Sequence, residues 1–303
     1  GKVRFWGYEL ELTTRNIVKK NFSWESKLVL SYQQNKVLKL PDNGIAKNRT
    51  GGIALGDGTF FGGIAEGEPL NRFYGYVATG IIETEEQAAN ANYDALSRLP
   101  QKGAKRVGDY EWADRNGDGQ ITTADQFCLG VTVPPFTGGL QNSFRLKNWT
   151  LSLYLDWATG HSIFDESYSR YFYGTFTNNY ALAKDVLKAW KKPGDKTKYA
   201  KFYANDSNWG NDNYNRRATN TFTYKGDYLC LREITLQYSL PSKLFTKVGL
   251  KGVTLTVSGN NLYYFTEVKG ISPEAGSSTT YDGDVFYNYP PIRRFSFGVR
   301  LIF

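Results

Sequence analysis

The sequence predicts an all-β fold: about seven to nine antiparallel strands forming the C-terminal part of a large transmembrane barrel with long extracellular loops. Three observations lead there. Several segments alternate apolar and polar residues with period two, the pattern of strands whose faces meet different surroundings. Aromatic residues are abundant, 22 Tyr, 19 Phe and 7 Trp in 303 residues, yet no stretch is apolar enough for a membrane helix. The connections between strands also alternate in length: short, long, short, long, short, long.

The elements follow in order. The first strand sets Trp6, Tyr8, Leu10 and Leu12 against Gly7, Glu9 and Glu11, and a polar turn spans 16–21. The second sets Phe22, Trp24, Leu28, Leu30 and Tyr32 against Ser23, Glu25, Lys27, Ser31 and Gln33. A Gly-rich interval, 41–137, contains a helical pattern over 83–98. A clear hairpin then carries Leu140, Asn142, Phe144 and Leu146, a turn at Lys147-Asn148, and Trp149, Leu151, Leu153, Leu155 and Trp157. Its second arm turns Thr150, Ser152, Tyr154 and Asp156 inward. Trp149 and Trp157 are spaced about 26 Å along the strand, as two interfacial anchors would be. A polar, aromatic interval follows over 160–222, with a short helix expected at 181–190. Strands are expected at 228–238 and 253–263, joined by a turn over 240–252. After a last long interval, 265–291, the terminal strand 293–303 sets Phe295, Phe297, Val299, Leu301 and Phe303 against Arg294, Ser296, Gly298, Arg300 and Ile302.

The terminal strand alone would also suit the edge of a soluble sandwich. The alternating connections distinguish the two, because short periplasmic turns and long outer loops belong to outer-membrane barrels. Parity then puts the turns at 16–21, 147–148 and 240–252 in the periplasm, with Phe303 at the periplasmic rim. Free strand edges are too costly in lipid, so another segment is expected to close the barrel. The absence of Met points the same way, toward a chain whose earlier part lies outside this sequence.

The formal charge of +8 is dispersed, with short clusters at Lys19-Lys20, Lys191-Lys192 and Arg293-Arg294, which argues against nucleic acid as a partner. Cys128 and Cys230 form neither a CxxC pair nor a metal pattern, and the single His161 leaves His-based catalysis without a partner.

Several segments resemble SusC/RagA-type TonB-dependent outer-membrane transporters. They are GYELELTTRN (7–16), EGEPLNRFYGYVATGIIETEEQA (66–88), DRNGDGQITTAD (114–125), PPFTGGLQNSFRLKNWTLSLYLDWATG (134–160), YLCLREITLQYSLP (228–241), GNNLYYFTEVKGISPE (259–274) and YPPIRRFSFGVRLIF (289–303). The resemblance implies that residues 1–303 belong to the C-terminal segment of one plugged barrel of about 22 strands. It implies an N-terminal plug and barrel portion as partner, TonB contact through that portion, and a SusD-like lipoprotein over the outer loops. It places the protein in the outer membrane of a Gram-negative bacterium. Oligosaccharide is the family's usual cargo and oligopeptide a known branch.

The segment 114–125 also has the spacing of a calcium loop. Asp114, Asn116 and Asp118 hold positions one, three and five, where side-chain oxygens converge on a hard cation. Gly119 supplies the turn, Gln120 offers its backbone carbonyl, Ile121 packs inward, and Asp125 stands where a bidentate Glu is usual. Thr122 at nine could contribute through water. A structural Ca²⁺ is therefore expected; a polar turn in which Asp and Asn bond the backbone is the alternative. Glu9, Glu11 and Glu25 read as solvated wall residues rather than as a hydrolytic pair. Trp209, Tyr214, Tyr171 and Tyr173 could stack on cargo or simply pack in loops, so substrate-contacting residues stay unassigned. No nucleophile motif or phosphate-cradling loop is present, and no catalytic site is expected. TonB-dependent import is the leading function. A calcium-stabilised, glycan-binding surface adhesin is the alternative, and a glycan hydrolase lacks a paired-carboxylate candidate.

Overall fold

The computed structural model describes all residues except 55–59, 62, 97–103, 166–167, 170–171, 173–181, 204–218, 245–248 and 275–290. Seven long strands dominate: β1 (Lys2–Val18), β2 (Phe22–Lys39), β3 (Phe136–Leu146), β4 (Trp149–Thr159), β5 (Tyr228–Ser239), β6 (Gly252–Thr266) and β7 (Arg294–Ile302). They pair only with sequence neighbours, all antiparallel, in one sheet whose edges are β1 and β7. Short connections and long intervals emerge from opposite ends of this sheet, as the loop alternation predicts.

The pairing register shows why alternation was informative. Row by row across the sheet, Ile17, Trp24, Phe144, Leu151, Leu236, Val257 and Phe297 stand opposite one another. Further toward the long-interval end, Leu12, Leu28, Leu140, Leu155, Leu231 and Tyr263 form a second apolar row. On the other face, Thr13, Lys27, Gln141, Tyr154, Glu233, Asn260 and Arg294 form a polar row. Because side chains change face at each residue, neighbouring rows meet opposite solvents. The apolar face is left uncovered: Phe295, Phe297 and Phe303 are 70–76% exposed. A contiguous apolar belt of this kind marks a surface made for lipid or protein.

Aromatic side chains border the belt. The Trp24 ring stacks on Phe144 with centroids 5.6 Å apart, and its Nε1–H donates to Asn142 at 2.9 Å. Trp149 packs against Tyr238 at 4.4 Å. At the other end the Trp157 ring covers Gly138; a Cβ there would lie 2.3 Å from the ring, so the close approach requires glycine. No described helix is long and apolar enough to cross a membrane.

Boundaries differ from expectation where tertiary pairing prevails. β1 runs on to Val18, so the first turn is confined to 19–21, and β6 runs on to Thr266. Among the described residues of the helix expected over 83–98, only α1 (Glu85–Asn90) is helical, capped by Thr84 and Gln87 in a reciprocal capping box, and 97–98 lie outside the described residues. α1 ends because Tyr93–Asp94 leaves the helical path to pair in parallel with Gln120–Ile121. Of the helix expected at 181–190, the described residues 182–190 form a 3-10 turn at Lys184–Lys188. Both cysteines are free.

The buried core lies in the long intervals rather than in the sheet. Phe73, Tyr110, Trp112, Ile121, Phe172 and Phe222 anchor one cluster of buried residues. It gathers segments from the β2–β3 and β4–β5 connections and positions the calcium-type loop beside them.

Candidate functional site

The loop 114–125 is built from its own backbone donors. Asp114 accepts Gly117 N–H at 2.7 Å on Oδ1 and Gly119 N–H at 2.8 Å on Oδ2. Asp118 Oδ1 accepts Gln120 N–H at 2.8 Å, and its Oδ2 accepts the Asn116 amide at 2.9 Å. Gly117 and Gly119 take φ values of +74° and +77°, which side-chain-bearing residues rarely adopt. Ile121 is fully buried and fastens the loop to the aromatic cluster. The carbonyls of Gly119 and Ile121 accept from Tyr93 and Ala95 N–H, each at 3.0 Å. The Gln120 carbonyl between them points to the opposite side of the strand.

Asp125 is placed differently. It is wholly buried; its Oδ1 accepts Arg115 N–H at 2.9 Å, while Oδ2 accepts Thr122 N–H at 2.7 Å and Thr122 Oγ1–H at 3.2 Å. It therefore ties the start of the loop to its end. Each bonded carboxylate oxygen of Asp114 and Asp118 retains a second lone pair, so these oxygens, Asn116 and the Gln120 carbonyl have the hard-donor chemistry Ca²⁺ takes. Among the described residues, no three His, Cys, Asp or Glu side chains converge as a metal-binding group. Beneath the loop, the buried Lys105 Nζ meets Asp94 Oδ2 at 3.2 Å and donates to the Tyr110 carbonyl at 3.2 Å.

The polar face of the sheet carries a second constellation, which the sequence reading missed. Arg232 lies at a bulge in β5, where the register shifts against both β4 and β6. It grips Asp156 through Nε and Nη2 at 2.7 and 2.8 Å. Its Nη1 donates to Asn261 at 2.8 Å and the Tyr264 hydroxyl at 3.2 Å, and Nη2 also reaches Glu274. All five guanidinium donors are thus engaged, binding β4, β5, β6 and the β6–β7 connection together. Two of the wall glutamates are in ordinary ion pairs, Lys27–Glu11 at 2.7 Å and Arg15–Glu25 at 3.5 Å. Trp209, Tyr214, Tyr171 and Tyr173 lie outside the described residues.

Three buried or half-buried acid–base groups sit in the connections. The His161 ring bonds the Pro273 carbonyl through Nε2 at 3.2 Å, and burial holds its pKa below the usual value. Burial raises Asp165 to about 6, against the opposing Tyr168 N–H bond. Burial also opposes ionisation of Glu68, but hydrogen bonds from Arg49 and Lys47 outweigh it and lower the pKa.

No family model matches the sequence. TonB-dependent receptor P3 of Formosa agariphila is 30% identical over 316 aligned residues, which take in all of this chain and 29% of that protein. Over its whole length the chain is thus similar to a segment of TonB-dependent receptors, as the SusC/RagA-type resemblance implies. TonB-dependent receptor SusC of Bacteroides thetaiotaomicron is 23% identical, with 100% of this chain and 27% of that protein covered. The solved RagAB peptide transporter superposes with a TM-score of 0.69 at 18% identity, covering 99% of this chain and 29% of the matched chain. That likeness concerns the fold, and identifies the seven-stranded sheet as part of a TonB-dependent barrel. The chain spans less than a third of the length of the relatives it matches.

Proposed function

We propose that this segment contributes barrel wall and outer loops to an importer of oligomeric nutrients in the outer membrane of a Gram-negative bacterium. The observation that carries the reading is the apolar belt, continuous in register across the sheet and backed by a polar face. Lipid outside and a watery lumen inside account for both. The rest of the receptor supplies the plug and the TonB contact, and a SusD-like lipoprotein covers the loops. Oligosaccharide is the first cargo to test and oligopeptide the second. The reading assigns no catalytic step.

The same proposal gives the loop 114–125 a structural Ca²⁺, held by Asp114, Asn116, Asp118 and the Gln120 carbonyl, with Asp125, the expected fifth ligand, closing the loop through Arg115 and Thr122. The ion's contribution is charge neutralisation among oxygen donors; the chain's own residues set the turn and anchor it through Ile121. For the import reading, cells expressing the full-length receptor should accumulate labelled oligosaccharide only when TonB is present. Uptake that is unchanged without TonB, or a receptor recovered in the soluble fraction, would defeat it.

A further inference from the structure

The β4–β5 connection carries a concentration of positive charge that neither the barrel nor the calcium-type loop uses. Between residues 184 and 201 stand seven lysines against two aspartates, in a chain whose whole formal charge is +8. Both aspartates are engaged locally. Asp185 pairs with Lys188 at 2.7 Å and accepts the Tyr168 hydroxyl at 2.6 Å, while Asp195 accepts the Lys191 and Lys192 N–H groups at 2.9 and 3.1 Å. Lys191, Lys192 and Lys196 are exposed and make no ion pair among the described residues.

The lysines stand on a firm platform. Ala189, Trp190 and Ala200 are buried, and Trp190 N–H bonds the Tyr199 carbonyl at 2.9 Å, fixing the two arms of the turn. Between the arms lies an open concavity of about 500 Å³, bordered by Lys188, Lys191, Lys196, Lys198, Asp195 and Thr197. Lys198 adds a cation beside the Tyr199 and Tyr224 rings while donating to the Thr221 carbonyl at 2.9 Å. A solvated lysine run would need neither a fixed platform nor a shared concavity.

We propose that this lysine face binds an acidic oligosaccharide, one whose sugar rings carry carboxylate or sulfate groups. This deepens the import reading by naming a cargo class, and rests on it. Lysine ammonium groups act as separated point charges, suited to anions spaced along a sugar chain. An acidic peptide is the poorer match: acidic peptide motifs are taken by arginine clusters and extended peptides by free backbone at a sheet edge, and this face offers lysines only. Here the turn's N–H groups at 190, 191, 192, 195 and 197 are already bonded within the turn.

The test uses the full-length receptor in detergent and calorimetric titration. Hexagalacturonate or a sulfated galactan hexasaccharide should bind at about 50 mM salt and weaken about tenfold at about 300 mM, as screened surface charges do. Maltohexaose should show no such salt dependence. The combined change Lys191→Glu, Lys192→Glu and Lys196→Glu should reduce acidic-sugar binding at least about tenfold, with heat-resistant migration on gels verifying an intact barrel. Failure of both acidic sugars to bind, or binding indifferent to the charge reversal, overturns the proposal. So does lysine-dependent binding of hexaglutamate or of phosphatidylglycerol vesicles in place of the sugars. TonB-dependent uptake of neutral oligosaccharide would then still stand, whereas its loss with acidic-sugar binding retained would remove the import reading alone.

Discussion

Arg232 and Asp156 meet through two parallel hydrogen bonds of 2.7 and 2.8 Å across adjacent strands, at a bulge that frees Arg232 from the regular register. Fork-on-fork pairing of this kind is strong because both partners are charged and planar. The side chains are only 24% and 17% exposed, so loss of one leaves the other poorly hydrated. Asp156→Ala in the full-length receptor is expected to destabilise by about 2 kcal/mol, seen as a lowered urea midpoint. Arg232→Lys should recover little, since an ammonium cannot engage Asp156, Asn261 and Glu274 together. A midpoint unchanged in both variants would show that the network is ornamental.

The two faces of the sheet should respond differently to one charge. Leu153 belongs to the apolar face midway between Trp149 and Trp157, whereas Ser152 beside it faces the polar side. Leu153→Arg should cost about 2–4 kcal/mol, the penalty for arginine at the middle of a lipid-facing strand. Ser152→Arg should stay within about 0.5 kcal/mol. Urea titration in liposomes separates them, and equal costs would count against a membrane on the apolar side.

The calcium-type loop separates its residues by role. Calcium should slow hydrogen exchange of amides 114–122 in the wild type, and Asp114→Ala or Asp118→Ala should abolish that response. Asp125→Ala should destabilise the loop by about 2 kcal/mol even without calcium, because its oxygens already satisfy Arg115 and Thr122 donors. If exchange is indifferent to calcium in every variant, the segment is a self-bonded polar turn.

How legible these features were in the sequence depended on the range of the forces that set them. The faces of β7 could be read because period-two alternation is local and the belt demands it at every position. Ile121 could be read as inward-facing for a similar reason, its place in the loop spacing being fixed within a few residues. The partnership of Arg232 with Asp156 could not: the residues are 76 positions apart, and the bulge that aims Arg232 interrupts the period. The helix at 83–98 failed beyond Asn90 for the same physical reason. Local helix propensity there is good, but pairing of Tyr93–Asp94 with Gln120–Ile121 and the buried Asp94–Lys105 contact outweigh it.

Asp165 allows a test of burial through pH. Its folded-state pKa is raised to about 6 from 3.8 because the carboxyl is buried, so the folded state holds the proton more tightly than the unfolded state. Stability from this group is complete below the unfolded value and is lost as pH rises through about 6. Asp165→Asn cannot ionise, and its carbonyl oxygen can still accept the Tyr168 N–H. Between pH 4 and pH 8 the variant should therefore gain on the wild type by about 2–3 kcal/mol, one pK unit corresponding to about 1.4 kcal/mol. Taking the difference at each pH cancels His161, whose depressed pKa acts in the opposite sense and removes stability as pH falls below about 6.5. A variant-minus-wild-type midpoint that stays flat across this range would mean that Asp165 ionises in the folded protein as freely as in the unfolded chain.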